Sequence, residues 1–251
     1  MKTLTPPEHA QKRPDYVANY ERIFEGLAAK EVRLFELGVA AGGSLLMWED
    51  YFPRGVIVGL DFRQSVLKFG TERIKVYCGS QEDTNLLTRI RNETAPDGFD
   101  IVIDDCSHVG ELSRVSFWHL FENHLKPGGI YVIEDWYTGF MPEWLDGKAL
   151  RKDFRSPRAV LRGVIRKSLE KVLALTPVRE LARKREGVKR LPTFALYRQR
   201  LPSHSYGVVG FVKQLIDEFG AEPSGLGIAT WFERMEIYPH QVFVYKKQRL
   251  D

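Results

Sequence analysis

Two acid pairs, Asp104–Asp105 and Glu134–Asp135, carry the densest chemistry in this sequence. Each pair follows a short apolar run, Phe99 to Ile103 (FDIVI) and Ile130 to Ile133 (IYVI), and His108 stands three residues beyond Asp105. Short β-branched runs bounded by turn residues predict buried parallel strands. In an open α/β sheet, ligands bind in the crevice at the carboxyl ends of the strands. Three or four carboxylates and His108 are therefore expected to share a pocket. Carboxylates packed together repel and lose hydration unless protons or a cation neutralise them. A hard divalent ion such as Mg²⁺, which prefers carboxylate oxygens and retains waters, suits such a set. Capping of the following helix is the competing role for any one acid. Two pairs at neighbouring strand ends, one followed by a histidine, favour the site.

The elements that must position these residues read as alternating strands and helices. Asp15 to Lys30 has helical spacing, with Val17, Tyr20, Ile23, Phe24 and Leu27 on one face; Tyr16 or Tyr20 could reach a ligand, although core packing also explains them. Val32 to Leu37 predicts a first strand. It is followed by a small glycine-rich turn, Gly38 to Gly43 (GVAAGG), and a helix from Ser44 onward. Glycines let the backbone come close to a ligand, and the helix N-terminus behind them offers free N–H groups to an anion. A second strand, Gly55 to Leu60, ends in Asp61, just over twenty residues after the first glycine, where an acid suits a ribose diol. The dinucleotide pattern G-x-G-x-x-G is absent because Ala40 interrupts it, and Glu36 before the turn is foreign to that fingerprint. A third strand, Arg73 to Tyr77, leads to the turn Cys78 to Asp83, where Ser80 and Gln81 are placed to read an adenine edge.

Beyond His108, Glu111 to Leu125 predicts a helix with Leu112, Val115, Trp118, Phe121 and Leu125 as its apolar stripe. His119 and His124 lie on that helix, away from the strand ends, and read as structural or surface histidines. Trp136 to Asp146 is an aromatic, turn-rich stretch expected to line the pocket. Gly207 to Phe219 predicts another helix. Phe232 to Tyr238 and Gln241 to Lys246, joined by Pro239-His240, predict an antiparallel hairpin.

The charge is unevenly distributed. The chain carries a net +4, but Lys148 to Arg200 holds 17 basic residues against 4 acidic ones, so the remainder is acidic. Within it, Val160, Leu161, Val164, Ile165, Leu169, Val172 and Leu173 form a helical stripe among Arg162, Arg166, Lys167 and Lys171. A lid or a contact between copies of the chain is one reading of this segment. A surface meeting anionic lipid or an acidic substrate is the other. Nucleic acid ranks last, because base-stacking aromatics are not interleaved. No apolar run reaches the ~18 residues of a membrane span, and the N-terminal stretch MKTLTPPEHAQKRPDY lacks an apolar signal segment. Cys78 and Cys106 suggest neither a metal-ligand spacing nor a disulfide framework, so a reducing cytoplasm is expected.

Together, ELGVAAGGS, GLD, IDDCSH and YVIED resemble a class I S-adenosylmethionine-dependent methyltransferase. Within that class they are similar to the metal-dependent sugar O-methyltransferases of macrolide tailoring (mycinamicin and macrocin type) and to the cephalosporin hydroxylase family. The resemblance covers Val32 to Tyr137 and the final hairpin. It implies a Rossmann-like α/β fold: a mostly parallel seven-stranded sheet, a C-terminal antiparallel hairpin and a basic helical insertion. One methyltransferase domain over 1–251, with residues 141–205 as the insertion or lid, is expected.

By the resemblance, Glu36, Gly38, Ser44, Asp61 and Gln81 would hold S-adenosylmethionine, with Ser80 and Asp104 on the same side. Asp105, Glu134 and Asp135 would hold Mg²⁺, and His108 would be the general base. Cys106 departs from the glycine usual in that family, which bears on the loop carrying His108. The implied activity is Mg²⁺-dependent transfer of a methyl group to a sugar hydroxyl of a glycosylated natural product or glycolipid. Methylation of a catechol-like hydroxyl and a non-catalytic cofactor-binding role at a membrane surface are the alternatives. A homo-oligomer in the cytoplasm, with peripheral contact to the inner membrane face, completes the expectation.

Overall fold

The computed structural model describes residues 3–7, 10, 12–154, 206–221 and 231–248. The helical stripe expected from Val160 onward, and with it most of the 141–205 insertion, lies outside the described residues. Seven strands form one sheet: β1 (Arg33–Leu37), β2 (Val56–Asp61), β3 (Ile74–Cys78), β4 (Phe99–Asp104), β5 (Leu125–Glu134), β6 (Phe232–Ile237) and β7 (Gln241–Lys246). Their order is β3-β2-β1-β4-β5-β7-β6. The first five run parallel, and β7 is antiparallel to both β5 and β6. The expected hairpin is therefore present.

Alternation along the strands splits the core into two layers. Leu34, Ile57, Ile101, Ile103, Val132 and Phe243 face one side, against Tyr20, Phe24, Trp48 and Phe52 of α1 (Pro14–Phe24), α2 (Gly43–Tyr51) and the turn after it. Phe35, Val58, Val102 and Tyr131 face the other, against α3 (Thr84–Thr94), α4 (Gly110–Asn123) and α6 (Gly207–Ala221). A further helix, α5 (Leu145–Phe154), lies between β5 and α6 in the chain. Pro14 opens α1, where its missing N–H costs nothing, and the Asp83 carboxylate caps α3 by accepting from the Leu86 N–H at 3.1 Å. Phe117, Phe121 and Phe232 are fully buried and in ring contact, each burial being worth about 1.5–3 kcal/mol.

The strand β5 starts earlier than its apolar run. The Phe99 N–H donates to the His124 carbonyl and Phe99 pairs with Leu125, so Lys126 to Gly129 is drawn into the strand with a shift of register before Ile130. Gly128 takes φ +75° there.

At the opposite end of the sheet from the acid pairs, Lys246 is 6% exposed, and its Nζ donates to the carbonyls of Phe121 (2.5 Å), Glu122 (3.0 Å) and Leu125 (2.8 Å). The first two are among the orphan carbonyls at the end of α4, whose dipole favours a cation, and Leu125 opens β5. Lys246→Met is expected to lower stability by about 2–3 kcal/mol, since charge-assisted bonds to buried carbonyls go unreplaced. Urea unfolding checks this, and the strand-end site should be untouched.

Candidate active site

In register, Leu37 pairs with Leu60 and Asp104, and Asp104 pairs with Ile133, so the ends of four strands lie level where the strand order reverses between β1 and β4. The glycine-rich turn follows β1 at this edge. Gly38 has φ +94° and Gly42 φ +79°, and Ala40 shares the left-handed region at φ +48°. A Cβ on Gly38 would stand 2.0 Å from the Asp105 carbonyl oxygen. The turn and the acid loop are thus in backbone contact, reinforced by the Asp105 N–H donating to the Leu37 carbonyl at 2.9 Å. Gly38→Ala is expected to cost about 1–3 kcal/mol from backbone strain alone and to displace Asp105. Unfolding and a Mg²⁺ titration on the same variant would show both effects.

The residues assigned to the cofactor side are tied into the scaffold, apart from the exposed Ser80. Glu36 is fully buried and accepts from Ser44 Oγ at 2.7 Å and Trp48 Nε1 at 3.4 Å, which binds β1 to α2. Asp61 accepts from the Val39 and Ala40 N–H groups at 3.1 Å and from Arg63 Nε and Nη2 at 3.0 and 2.9 Å. Despite burial, those bonds, Arg63 first, hold its carboxyl down at about 2. The Arg63 side chain is 46% exposed, so this partner can swing away. Ser80 is exposed and bonds Glu82. Gln81 is buried beneath the acid loop, donating towards Asp104 and Ser116 and accepting from the Ser107 N–H at 3.1 Å. Asp104 is buried, which pushes its carboxyl up to about 6.

Asp105, His108 and Asp135 converge. Each offers a ligand atom, and these atoms lie within 4.8 Å of one another. His108 Nε2 is 3.8 Å from a carboxylate oxygen of each acid. His108 and Asp135 both adopt left-handed backbone, at φ +52° and +53°, a region uncommon for residues other than Gly, although His, Asp and Asn enter it more readily than most. It aims both side chains inward. The Asp135 N–H is anchored on the His240 carbonyl, and Tyr16 donates to its carboxylate. Trp144 meets the His108 ring edge-on at 4.8 Å.

Glu134 faces the other side of Asp105. It is buried, accepts from Tyr20, and takes both its oxygens to Lys12 Nζ at 2.8 Å. Lys12 also donates to Asp105 Oδ2 at 2.7 Å and approaches Glu36 at 3.6 Å, with its side chain only 4% exposed. Burial opposes a charged lysine, but Asp105, Glu134 and Glu36 together raise its pKa well above the ordinary value. Burial and Asp105 push Glu134 up to about 8, while Lys12 and Tyr20 pull it down. Two ammonium contacts, one per oxygen, fit the ionised carboxylate. Lys12 escaped the sequence pattern because it lies in an irregular stretch 93 and 122 residues from its partners. The surplus of acids at the strand ends was the one available hint that a cation was owed.

The sheet order, the glycine turn at the end of β1 and the acids at the ends of β2, β4 and β5 define the Rossmann-like fold of class I methyltransferases. Among curated proteins, the chain is 42% identical to mycinamicin VI 2''-O-methyltransferase of Micromonospora griseorubida over 134 residues, 51% of this chain and 33% of that protein. It is 38% identical to 8-demethyl-8-(2-methoxy-alpha-L-rhamnosyl)-tetracenomycin-C 3'-O-methyltransferase of Streptomyces olivaceus over 155 residues, 58% of this chain and 38% of that protein. Among solved structures, MycE methyltransferase from the mycinamycin biosynthetic pathway, in complex with Mg, SAH and mycinamycin VI, matches 93% of this chain and 49% of its own at TM-score 0.65 and 28% identity. The chain thus spans under two-fifths of these curated relatives and about half of the solved one. No family model matches it.

Proposed function

We propose that this chain is the catalytic core of a Mg²⁺-dependent O-methyltransferase that moves the methyl group of S-adenosylmethionine to a sugar hydroxyl of a glycosylated small molecule. The observation that carries this is the convergence of Asp105, His108 and Asp135 at strand ends beside the glycine turn and Asp61. On that reading the methionine moiety lies along Gly38 and Ser44 near Glu36, and Asp61, kept ionised, accepts the ribose hydroxyls once Arg63 swings out. Ser80, Gln81 and Asp104 close the adenine side.

Two carboxylates meeting at one point fit a small divalent ion, with the His108 imidazole beside them left free to take a proton. The carboxylates proposed for it are Asp105, Glu134 and Asp135; Glu134 joins by exchanging its Lys12 contact for the metal. Bound there, Mg²⁺ would acidify the acceptor hydroxyl and fix its direction. His108 Nε2, facing the same point, would take the hydroxyl proton as the oxygen attacks the methyl carbon and the carbon–sulfur bond breaks, its electron pair staying on the sulfur of S-adenosylhomocysteine. Trp144 holds that ring and shields it from water. Tyr16, through Asp135, keeps the second carboxylate aligned.

The test is transfer of labelled methyl from S-adenosylmethionine to glycosylated macrolides, their aglycones, catechols and a host lipid extract, with Mg²⁺ or with EDTA. Metal-dependent label on the glycosides alone is the expected result. Label on aglycone or catechol would move the acceptor away from sugar, and no label on any acceptor would favour a non-catalytic cofactor-binding protein. The lipid arm tests the further proposal that the basic segment, residues 148–200, brings the protein to anionic membrane and a glycolipid acceptor. None of the described helices is long and apolar enough to cross a membrane. Self-association, also proposed for that segment, is read from the mass in solution.

A further inference from the structure

At the far end of α4 from the acid site, about 15 Å along the helix, three side chains meet. Thr88 Oγ1 lies 2.9 Å from His119 Nε2 and 3.0 Å from His124 Nε2, and the two imidazole nitrogens are 3.1 Å apart. The His119 and His124 rings cross at 78° with centroids 4.8 Å apart, so both nitrogens point at one spot rather than stacking. His124 is 8% exposed, and its Nδ1 has no hydrogen-bond partner among the described residues. The Thr84 backbone faces the other ring nitrogen of His119 and favours a proton there.

The Asn123 backbone favours a proton on the His124 ring as Thr84 does on His119, although His124 Nδ1 makes no hydrogen bond of good geometry among the described residues. With the proton on Nδ1, two lone pairs confront each other at 3.1 Å, and the single Thr88 hydroxyl proton serves only one. Charging an imidazole is no remedy. Burial lowers His119, and burial, His119 and Arg91 bring His124 down to about 4.

We propose that Thr88, His119 and His124 form a second metal site, for a divalent transition ion that favours imidazole, such as Zn²⁺. Two neutral imidazoles presenting Nε2, with the remaining nitrogen of one held by a backbone carbonyl, are the ligand arrangement such ions take. Ligands of a tetrahedral zinc at about 2.0–2.1 Å stand roughly 3.3 Å apart, so this triangle need open by only a few tenths of an ångström. Thr88 and His119 are half-buried, which leaves water access to complete the coordination. Arg91 beside His124 weakens any cation there, so the affinity falls below that of a thiolate site. The proposal does not depend on the methyltransferase reading.

The experiment titrates Zn²⁺ into the protein at saturating Mg²⁺, counts bound zinc after gel filtration, and reads a Cu²⁺-substituted sample by electron paramagnetic resonance. One zinc per chain and a copper signal split by two imidazole nitrogens are expected. His119→Gln and His124→Gln should each weaken binding at least about tenfold, and Asp135→Asn should leave it unchanged. No zinc uptake, uptake that survives both histidine variants, or uptake abolished by Asp135→Asn would overturn the site. The copper spectrum needs no variant, and circular dichroism reports whether each variant is folded.

Discussion

Lys12→Met is expected to lower the stability of the metal-free protein by about 3–5 kcal/mol and to tighten its binding of Mg²⁺. The lysine is the cation that lets Glu36 and Glu134 lie buried, and Asp105 half-buried, within reach of one ammonium. Methionine fills similar space without charge, so the carboxylates face one another uncompensated, and one must take a proton or turn outward. Glu36 keeps Ser44 and Trp48, and Glu134 keeps Tyr20, so the fold is weakened rather than abolished. Adding Mg²⁺ restores the missing positive charge and most of the stability. Urea unfolding in EDTA and in Mg²⁺, paired with calorimetric Mg²⁺ titration, measures both halves. Weaker Mg²⁺ binding in the variant would instead make Lys12 a support that holds Asp105 in position.

The second large effect belongs to His108. His108→Asn is expected to cut methyl transfer by about 10²–10⁴-fold while binding of S-adenosylmethionine and Mg²⁺ persists. Asparagine is the apt replacement because residue 108 has φ +52°, a conformation asparagine tolerates better than other residues with a side chain. The Asp105 loop then keeps its course while the proton acceptor is gone. Rates measured alongside cofactor binding decide the matter: a loss confined to turnover fits a base, whereas loss of Mg²⁺ as well would make the imidazole a ligand.

The strands were legible because their signal is local. FDIVID and the β2 run VIVGLD are apolar on both faces, and the acids stand at the ends of runs whose parallel pairing puts them on one edge. The hairpin was legible from its two-residue link. What escaped depends on distance or on backbone geometry. The Lys126 to Gly129 stretch reads as a turn, yet pairing of Phe99 with Leu125 pulls it into β5. Positive φ at His108 and Asp135 is hard to read from DCSH or EDW, since His and Asp enter that region more often than most residues yet only in a small minority of cases. Gln81 was read as facing a ligand, and it also pins Ser107, a bond across 26 residues that no periodicity encodes.

A single carboxylate joins the starts of two helices and stands just before residue 147, on one side of the stretch that ends at Gly207. Asp146 accepts from the Gly110 N–H at 3.0 Å and the Val208 N–H at 2.6 Å, so it closes the starts of α4 and α6 together. At the same seam a Cβ on Gly110 would lie 1.9 Å from the Gly207 backbone. Asp146 and Gly207 are thus fastened to each other's neighbourhood by these contacts alone, and closure entropy rises by only about 0.6 kcal/mol for each doubling of the length between two such points. The fold can therefore accept exchange of this stretch as a cassette. Chimeras cut at Asp146 and Gly207 should inherit the stability of the core and the acceptor preference of the donor.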